Sequence, residues 1–275
     1  MIELPEALVI ARQMDKELAG KRIVHGDRGN SPHKFAFSSG TSEEYAAIFK
    51  GKTVGRSTSH GMATCTEVGS DHTLVLGGGG ERILLHPQGA KLPKKYQLLL
   101  QFEDGMSLTV TVSGWGNTLL LPQETAGQHR HVREDRIVPL SDAFTWDYFR
   151  GLFRDAGESI KSIKYFVISD PGIHGIGNGC LQDILFRARI HPRRRVVDIA
   201  EDEQRVLYDA IDLTLNQIVD LGGRSSELDL YGSKGGYVRI LDSKTKGTPC
   251  PECGTTIEKI QYLGGACYLC PACQT

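Results

Sequence analysis

No run of apolar residues in this chain reaches the roughly 18 that a membrane-crossing helix needs. The N-terminus lacks the basic segment of an export signal. It reads MIELPEALVIARQMDKELAGKRI, with Glu3 and Glu6 where positive charge belongs. A cytoplasmic protein with no membrane contact is the expectation. An excess of either charge is missing too: 32 Lys and Arg against 33 Asp and Glu give a net −1. Nothing global points to nucleic acid, so any such surface must be local. The richest patch is FRARIHPRRR, with Arg187, Arg189, Arg193, Arg194 and Arg195. It reads as a solvated face or as a phosphate track. No internal repeat is present, and the glycines at 77–80 are too few for low complexity.

What is present is ordinary globular composition, 40% hydrophobic and 24% charged, in a chain long enough for two or three parts. Leu8, Ile10, Met14 and Leu18 predict a first helix from about Pro5 to Leu18. Short apolar or alternating runs follow: HKFAFS, HTLVLGG, RILLH and YQLLLQFEDGMSLTVTV. The last is a hairpin around Glu103-Asp104-Gly105. Together they predict an antiparallel β-domain to about Leu121, then a polar linker, LPQETAGQHRHVRED. LSDAFTWDYFRGLF turns helical, with Ser141 or Asp142 as its cap. DIAEDEQRVLYDAIDLTLNQIVDLGG is a strong helix with paired glycines as its stop. Between these two, Pro171, Gly172, Gly175, Gly177 and Gly179 form a turn that leads into a helix at about Cys180. Such a turn aims backbone N–H groups at a phosphate.

Cysteine is abundant only at the end. Five of seven lie in the last 26 residues. In a chain without an export signal, that clustering favours metal over disulfides. Cys250 and Cys253, then Cys270 and Cys273, form two matched Cys-x-x-Cys knuckles, the pattern of a closed tetrahedral Zn²⁺ site. Four protein ligands leave no open position, so one structural zinc is expected, supplying fold energy that roughly 30 residues cannot bury for themselves. Cys267 competes for a ligand place, but the regular spacing favours Cys270. Cys65 and Cys180 read as buried small hydrophobes. The hairpin tip reads Gly264-Gly265-Ala266, without charge or a long side chain.

MIELPEA, GIHGIGNGCLQDILFRARIHP and the four-cysteine hairpin fall in one order. Together they resemble the formamidopyrimidine-DNA glycosylase/endonuclease VIII family of base-excision repair enzymes, over the whole chain. GIGN, a helix and then IHP is similar to that family's helix–two-turn–helix motif. The resemblance implies an α+β fold. An N-terminal β-sandwich with its leading helix would span 1–125, a helix–two-turn–helix domain 138–240, and a zinc hairpin 245–275. It also implies double-stranded DNA as partner, damaged DNA in particular, and a monomer. Asn178 and its neighbour Gly177 stand where the family holds phosphates, contacts that position a protein without reading sequence, and Lys164, where the family has a lysine, is expected to bind nucleic acid with them.

The family's chemistry is altered. Its nucleophile is an N-terminal proline; here the position is Ile2, and Met1 is expected to stay because methionine is trimmed only before small residues. Glu3, the family's proton-handling acid, is retained, either for that role or as an acid in the first turn of a helix. Met62 stands in the place of a catalytic lysine. Gly265 replaces an arginine five residues before the third cysteine. Trp115, in VSGWGN, is either an aromatic wedge for a flipped base or a residue of the sandwich end. Three readings result. The first is a catalytically silent protein that binds damaged or distorted DNA. The second is an active glycosylase or abasic-site lyase using the Met1 amine with Glu3. The third is an RNA- or protein-binding adaptor.

Overall fold

The computed structural model describes residues 1–31 and 34–275. His33, which opens the HKFAFS run, lies outside the described residues. The first helix, α1, runs Leu4–Leu18 and buries Leu4, Ala7, Ile10, Ala11, Met14 and Leu18. Those positions repeat every three or four residues, so they form one stripe. Glu3 starts the helix by a capping box with Glu6. The stripe packs on two strands of a sheet, β3 and β4, placed below.

The strands are β1 (Ile23–Asp27), β2 (Ala36–Phe37), β3 (Val54–His60), β4 (Ala63–Val68), β5 (His72–Gly77), β6 (Glu81–His86), β7 (Leu98–Phe102), β8 (Ser107–Val112) and β9 (Gly116–Pro122), with α2 (Ser42–Phe49) between β2 and β3. They make one sheet of order β1-β7-β8-β6 and another of order β2-β9-β5-β4-β3. One pairing departs from the antiparallel expectation: β2 runs parallel to β9. Leu74 and Leu76 of β5 share a core with Ile83, Leu85, Leu98, Leu100, Leu108 and Val110. Each such side chain contributes about 1.5–3 kcal/mol on burial. The β7–β8 hairpin matches its sequence signal. Leu98 faces Val110, and Gly105 turns the chain at φ 83°.

Two compact units divide the chain: Met1–Arg136 with Ile218–Tyr237, and Ile137–Gln217 with Val238–Thr275. In the first, Leu230 joins the sandwich core and accepts the Leu85 N–H at 2.9 Å. The short helix α3 (Gln123–Ala126) interrupts the polar linker. The second unit begins its first helix later than the sequence suggests. Helix α4 is Trp146–Ala156, capped by Thr145, whose hydroxyl accepts from Tyr148 N. Ser141 lies four residues before that cap, in a separate turn where its hydroxyl donates to the Val138 carbonyl at 2.7 Å. Then come α5 (Ile163–Ile168), α6 (Asn178–Arg187), α7 (Glu201–Asp220) and a final hairpin, β10 (Glu258–Tyr262) with β11 (Gly265–Leu269). Glycines follow α7, and Gly222 and Gly223 both adopt positive φ, as a helix stop requires. Among the described residues no helix is long and apolar enough to cross a membrane.

Candidate nucleic-acid interface and metal centre

The N-terminus is anchored from several directions. Ile2 is buried in the sandwich core, and its amide N–H donates to the Gly79 carbonyl at 2.8 Å. A Cβ added at Gly77 would lie 2.7 Å from the Met62 carbonyl oxygen and 3.7 Å from Ile2 Cγ2. The fold therefore brings Ile2 and Met62 together at the end of β5. The Met1 ammonium is ion-paired to Glu227 Oε2 at 2.7 Å, with the methionine itself exposed. Glu3 is 1% exposed. Arg224 donates to Glu3 Oε1 at 3.2 Å, to Glu6 Oε1 at 2.8 Å and Oε2 at 2.6 Å, and to the Met1 carbonyl at 2.7 Å.

Beside the N-terminus lies a carboxylate that no motif announced. Glu81 is buried and accepts the N–H groups of Gly79 at 2.8 Å and Asn117 at 2.6 Å. Burial pushes its carboxyl up to about 7, against those two N–H groups and the N-terminal charge. The glycine run exists for a close approach. A side chain at Gly79 would run into the Trp115 carbonyl. Trp115 is half-buried there, edge-on to Phe37 at 6.2 Å and to His131 at 5.4 Å. Burial holds His131 uncharged, its pKa down at about 4.

In the second unit the glycine turn leads from α5 into α6, whose cap is Gly177 and whose first residue is Asn178. Asn178 is exposed. Lys164 on α5 is fully buried. Its ammonium donates to the Tyr262 carbonyl at 2.8 Å and to Cys267 Sγ at 3.3 Å, both on the hairpin. A Cβ at Gly265 would meet Asn178 Nδ2 at 3.2 Å and Lys164 Nζ at 3.7 Å. Three of the positions singled out by sequence thus converge. The hairpin turn falls one residue earlier than expected. Tyr262 pairs with Gly265, so Leu263 and Gly264 form the turn, both at positive φ, and Leu263 is 44% exposed. The tip therefore does carry a long side chain.

Sequence patterning passed over what pins this hairpin. Gln182 donates to the Ala266 carbonyl and accepts the Tyr268 N–H, at 2.8 and 2.7 Å. Asp183 accepts the N–H groups of Ile240 and Leu241 at 2.9 Å each. A Gln-Asp pair inside the apolar run CLQDILF was the available signal, since buried polar groups need partners. Much of the arginine patch is spent on neighbours. Arg194 grips Glu203 and Arg195 grips Asp198, both with two hydrogen bonds. Arg187 donates to Gln217. Arg193 lies over the Tyr262 ring at 5.1 Å.

The sulfurs of Cys250, Cys253, Cys270 and Cys273 all lie within 4.8 Å of one another. Cys253 and Cys270 are 3.5 Å apart, and Cys250 and Cys273 3.9 Å. Tetrahedral thiolate ligation at about 2.3 Å places sulfurs about 3.8 Å apart. The donor set fits a single metal ion. Hydrogen bonding to Cys253 raises the pKa of the Cys273 thiol, and burial raises that of Cys270; a bound cation removes that mutual penalty. Cys267 stands outside the cluster, turned to Lys164. Cys65 and Cys180 are half-buried and buried.

Residues 137–229 match the family model described as the formamidopyrimidine-DNA glycosylase H2TH domain. A formamidopyrimidine-DNA glycosylase of Halalkalibacterium halodurans is 30% identical over the full length of both chains. One from Lactococcus lactis subsp. cremoris is 27% identical over 100% of this chain and 99% of its own. A crystal structure of Lactococcus lactis Fpg with abasic-site DNA superposes with a TM-score of 0.85 at 24% identity, covering 99% of each chain. A second, with N7-benzyl-Fapy-dG DNA, does so at 0.85 and 25%, again over 99% of each. With the likeness to the Halalkalibacterium relative running end to end, the chain belongs to the formamidopyrimidine-DNA glycosylase family.

Proposed function

We propose that this protein binds double-stranded DNA at damaged or distorted sites and leaves it uncut. The observation that carries the reading is Ile2. Where the family presents a nucleophilic proline amine, this chain has a planar amide nitrogen, which is no nucleophile, with its N–H already donated to Gly79. The neighbouring groups support it. Met62 cannot carry a proton. Glu3 is committed to Arg224 and the α1 cap. The Met1 ammonium is paired with Glu227. Loss of a nucleophile or a proton-transfer group costs orders of magnitude in rate.

The DNA-binding frame, by contrast, is kept. The structural relatives are solved with abasic or modified DNA. Gly177 and Asn178 open α6 at the glycine turn, where backbone N–H groups suit a phosphate. Lys164 supplies a cation behind that turn. Trp115 belongs to the sandwich end, given its packing against Phe37 and His131. The metal of the four-cysteine centre is zinc, which closes the hairpin and takes no part in a reaction. Residues 1–125, 138–240 and 245–275 are the functional divisions, with 218–237 of the second belonging to the sandwich unit, and thiol ligands for a metal suit the cytoplasm.

The test is borohydride trapping on a duplex with one abasic site at low salt, beside a native-gel shift of the same duplex. A shifted duplex without a covalent band is expected. A covalent band would instead make Met1 a working amine. No shift at any low salt concentration would remove DNA as the partner. Binding should weaken steeply with salt, because phosphate contacts release counterions.

A further inference from the structure

Cys267 is the hairpin cysteine that the metal cluster leaves out. It is 3% exposed, and the Lys164 Nζ beside it belongs to a residue at 0%. Their atoms are 3.3 Å apart across 103 residues of chain. Among the described residues, the hydrogen-bond partners of Lys164 are this sulfur and the Tyr262 carbonyl. A primary amine and a thiol enclosed side by side have a chemistry that neither has alone.

We propose that Lys164 and Cys267 form an oxidant-gated covalent link between α5 and the hairpin. The oxidant is hydrogen peroxide. The Cys267 sulfur attacks one peroxide oxygen; an S–O bond forms, the O–O bond breaks and water leaves. Sulfur has then lost two electrons and is a sulfenic acid. The Lys164 ammonium first releases a proton to solvent, and its nitrogen then attacks that sulfur. An S–N bond forms, the S–O bond breaks, and the departing hydroxide takes a proton from nitrogen. In total one thiol, one ammonium and one peroxide give a sulfenamide, two waters and one released proton. Burial decides the outcome. With the sulfur 3% exposed, a reagent as small as peroxide has the advantage over a bulkier thiol. The sulfenic acid is therefore sheltered from the usual disulfide partners and meets the amine at contact distance. The flexible four-carbon stem of lysine lets nitrogen close the remaining gap.

The link turns Lys164 from an ammonium into a neutral group. On the DNA-binding reading above, duplex affinity then falls about threefold, the loss of one buried charge behind the α6 turn and not of a direct contact, since Lys164 is 0% exposed.

The experiment treats the full-length, zinc-loaded protein with about one equivalent of peroxide, quenches it and digests it without reductant. Mass spectrometry is expected to find the peptides of Lys164 and Cys267 joined, lighter by two hydrogens, and separated again by dithiothreitol. Cys267→Ser and Lys164→Arg should each lack the joined species while keeping zinc content, with some loss of melting temperature for the bulkier arginine at a site that is 0% exposed. Oxidation confined to the four zinc ligands, or sulfinic acid at Cys267 with no joined peptide, would overturn the proposal. Duplex affinity is measured on the same samples. A joined peptide with unchanged affinity keeps the link and removes the Lys164 charge from DNA binding, so the two readings fail separately.

Discussion

Arg224 Nη1 lies 3.2 Å from Glu3 Oε1, although 221 residues separate them. The same guanidinium takes both oxygens of Glu6. All three side chains are at most 3% exposed. Arg224 is thereby the clasp that holds the N-terminal segment to residues near the end of α7. Arg224→Ala would leave two buried carboxylates without their cation. A loss of about 3–5 kcal/mol is expected, read from denaturant midpoints. Arg224→Lys should recover little, since one ammonium cannot reproduce the fork. A loss below about 1 kcal/mol would show that the carboxylates reach water without Arg224.

Glu81 sets a pH dependence. Burial raises its folded-state pKa from 4.5 to about 7. Between those values the folded protein keeps a proton that the unfolded chain has released. The associated stability is complete below about pH 4.5 and is lost as pH rises through about 7, by about 3 kcal/mol at most. Urea midpoints at pH 5 and pH 8 should show this fall in the wild type. Glu81→Gln should lose that part of the slope, while being less stable at pH 5 because its amide offers one acceptor to two N–H groups. Equal slopes in the two proteins would mean that Glu81 is ionised throughout.

These two relationships also mark where the sequence stopped being readable. The metal knuckles were visible because ligand spacing is local: each pair is set by one tight turn. The first helix was visible because its stripe repeats within 15 residues. Glu3 was ambiguous because a helix cap and a proton-handling acid ask for the same side chain, and only Arg224 separates them. Glu81 carried no signal in the sequence, since nothing near it says that Gly79 and Asn117 will enclose it. Cys267 was weighed as a competing ligand, and its orientation toward Lys164 depends on how α5 meets the hairpin. The cap of α4 moved from Ser141 or Asp142 to Thr145 because the residues before it are held in short turns of their own, with the Phe144 N–H on the Ser141 carbonyl and the Thr145 N–H on the Ala143 carbonyl.

Removal of the metal should act locally. The hairpin has a small core, Phe186, Leu241 and Ile257 with Cys250 and Cys270, too little to hold about 30 residues alone. Chelation, or Cys270→Ser, is expected to free one zinc per chain and to raise amide exchange in β10 and β11. Exchange in β5 and β9, central to the sandwich, should stay as it was. Unchanged exchange in the hairpin after complete zinc loss would mean that Gln182 and Asp183 suffice to hold it.

Gly265 offers the opposite kind of test, a gain. Its Cβ direction points at Asn178 Nδ2, 3.2 Å away, and at Lys164 Nζ, 3.7 Å away. The first is tight, but Asn178 is exposed and its amide can rotate aside. Gly265→Arg therefore fits, and it places a guanidinium beside Asn178, the exposed group proposed to meet a phosphate. One more phosphate contact should tighten duplex binding and steepen the slope of log K against log salt by about 0.9. Gly265→Gln, similar in length without the charge, should leave the slope alone. Fluorescence anisotropy across a salt series reads both numbers. If Gly265→Arg leaves the slope unchanged while the protein stays folded and zinc-loaded, then DNA does not pass this edge of the hairpin. Gly265 would then mark a surface that has turned to another use.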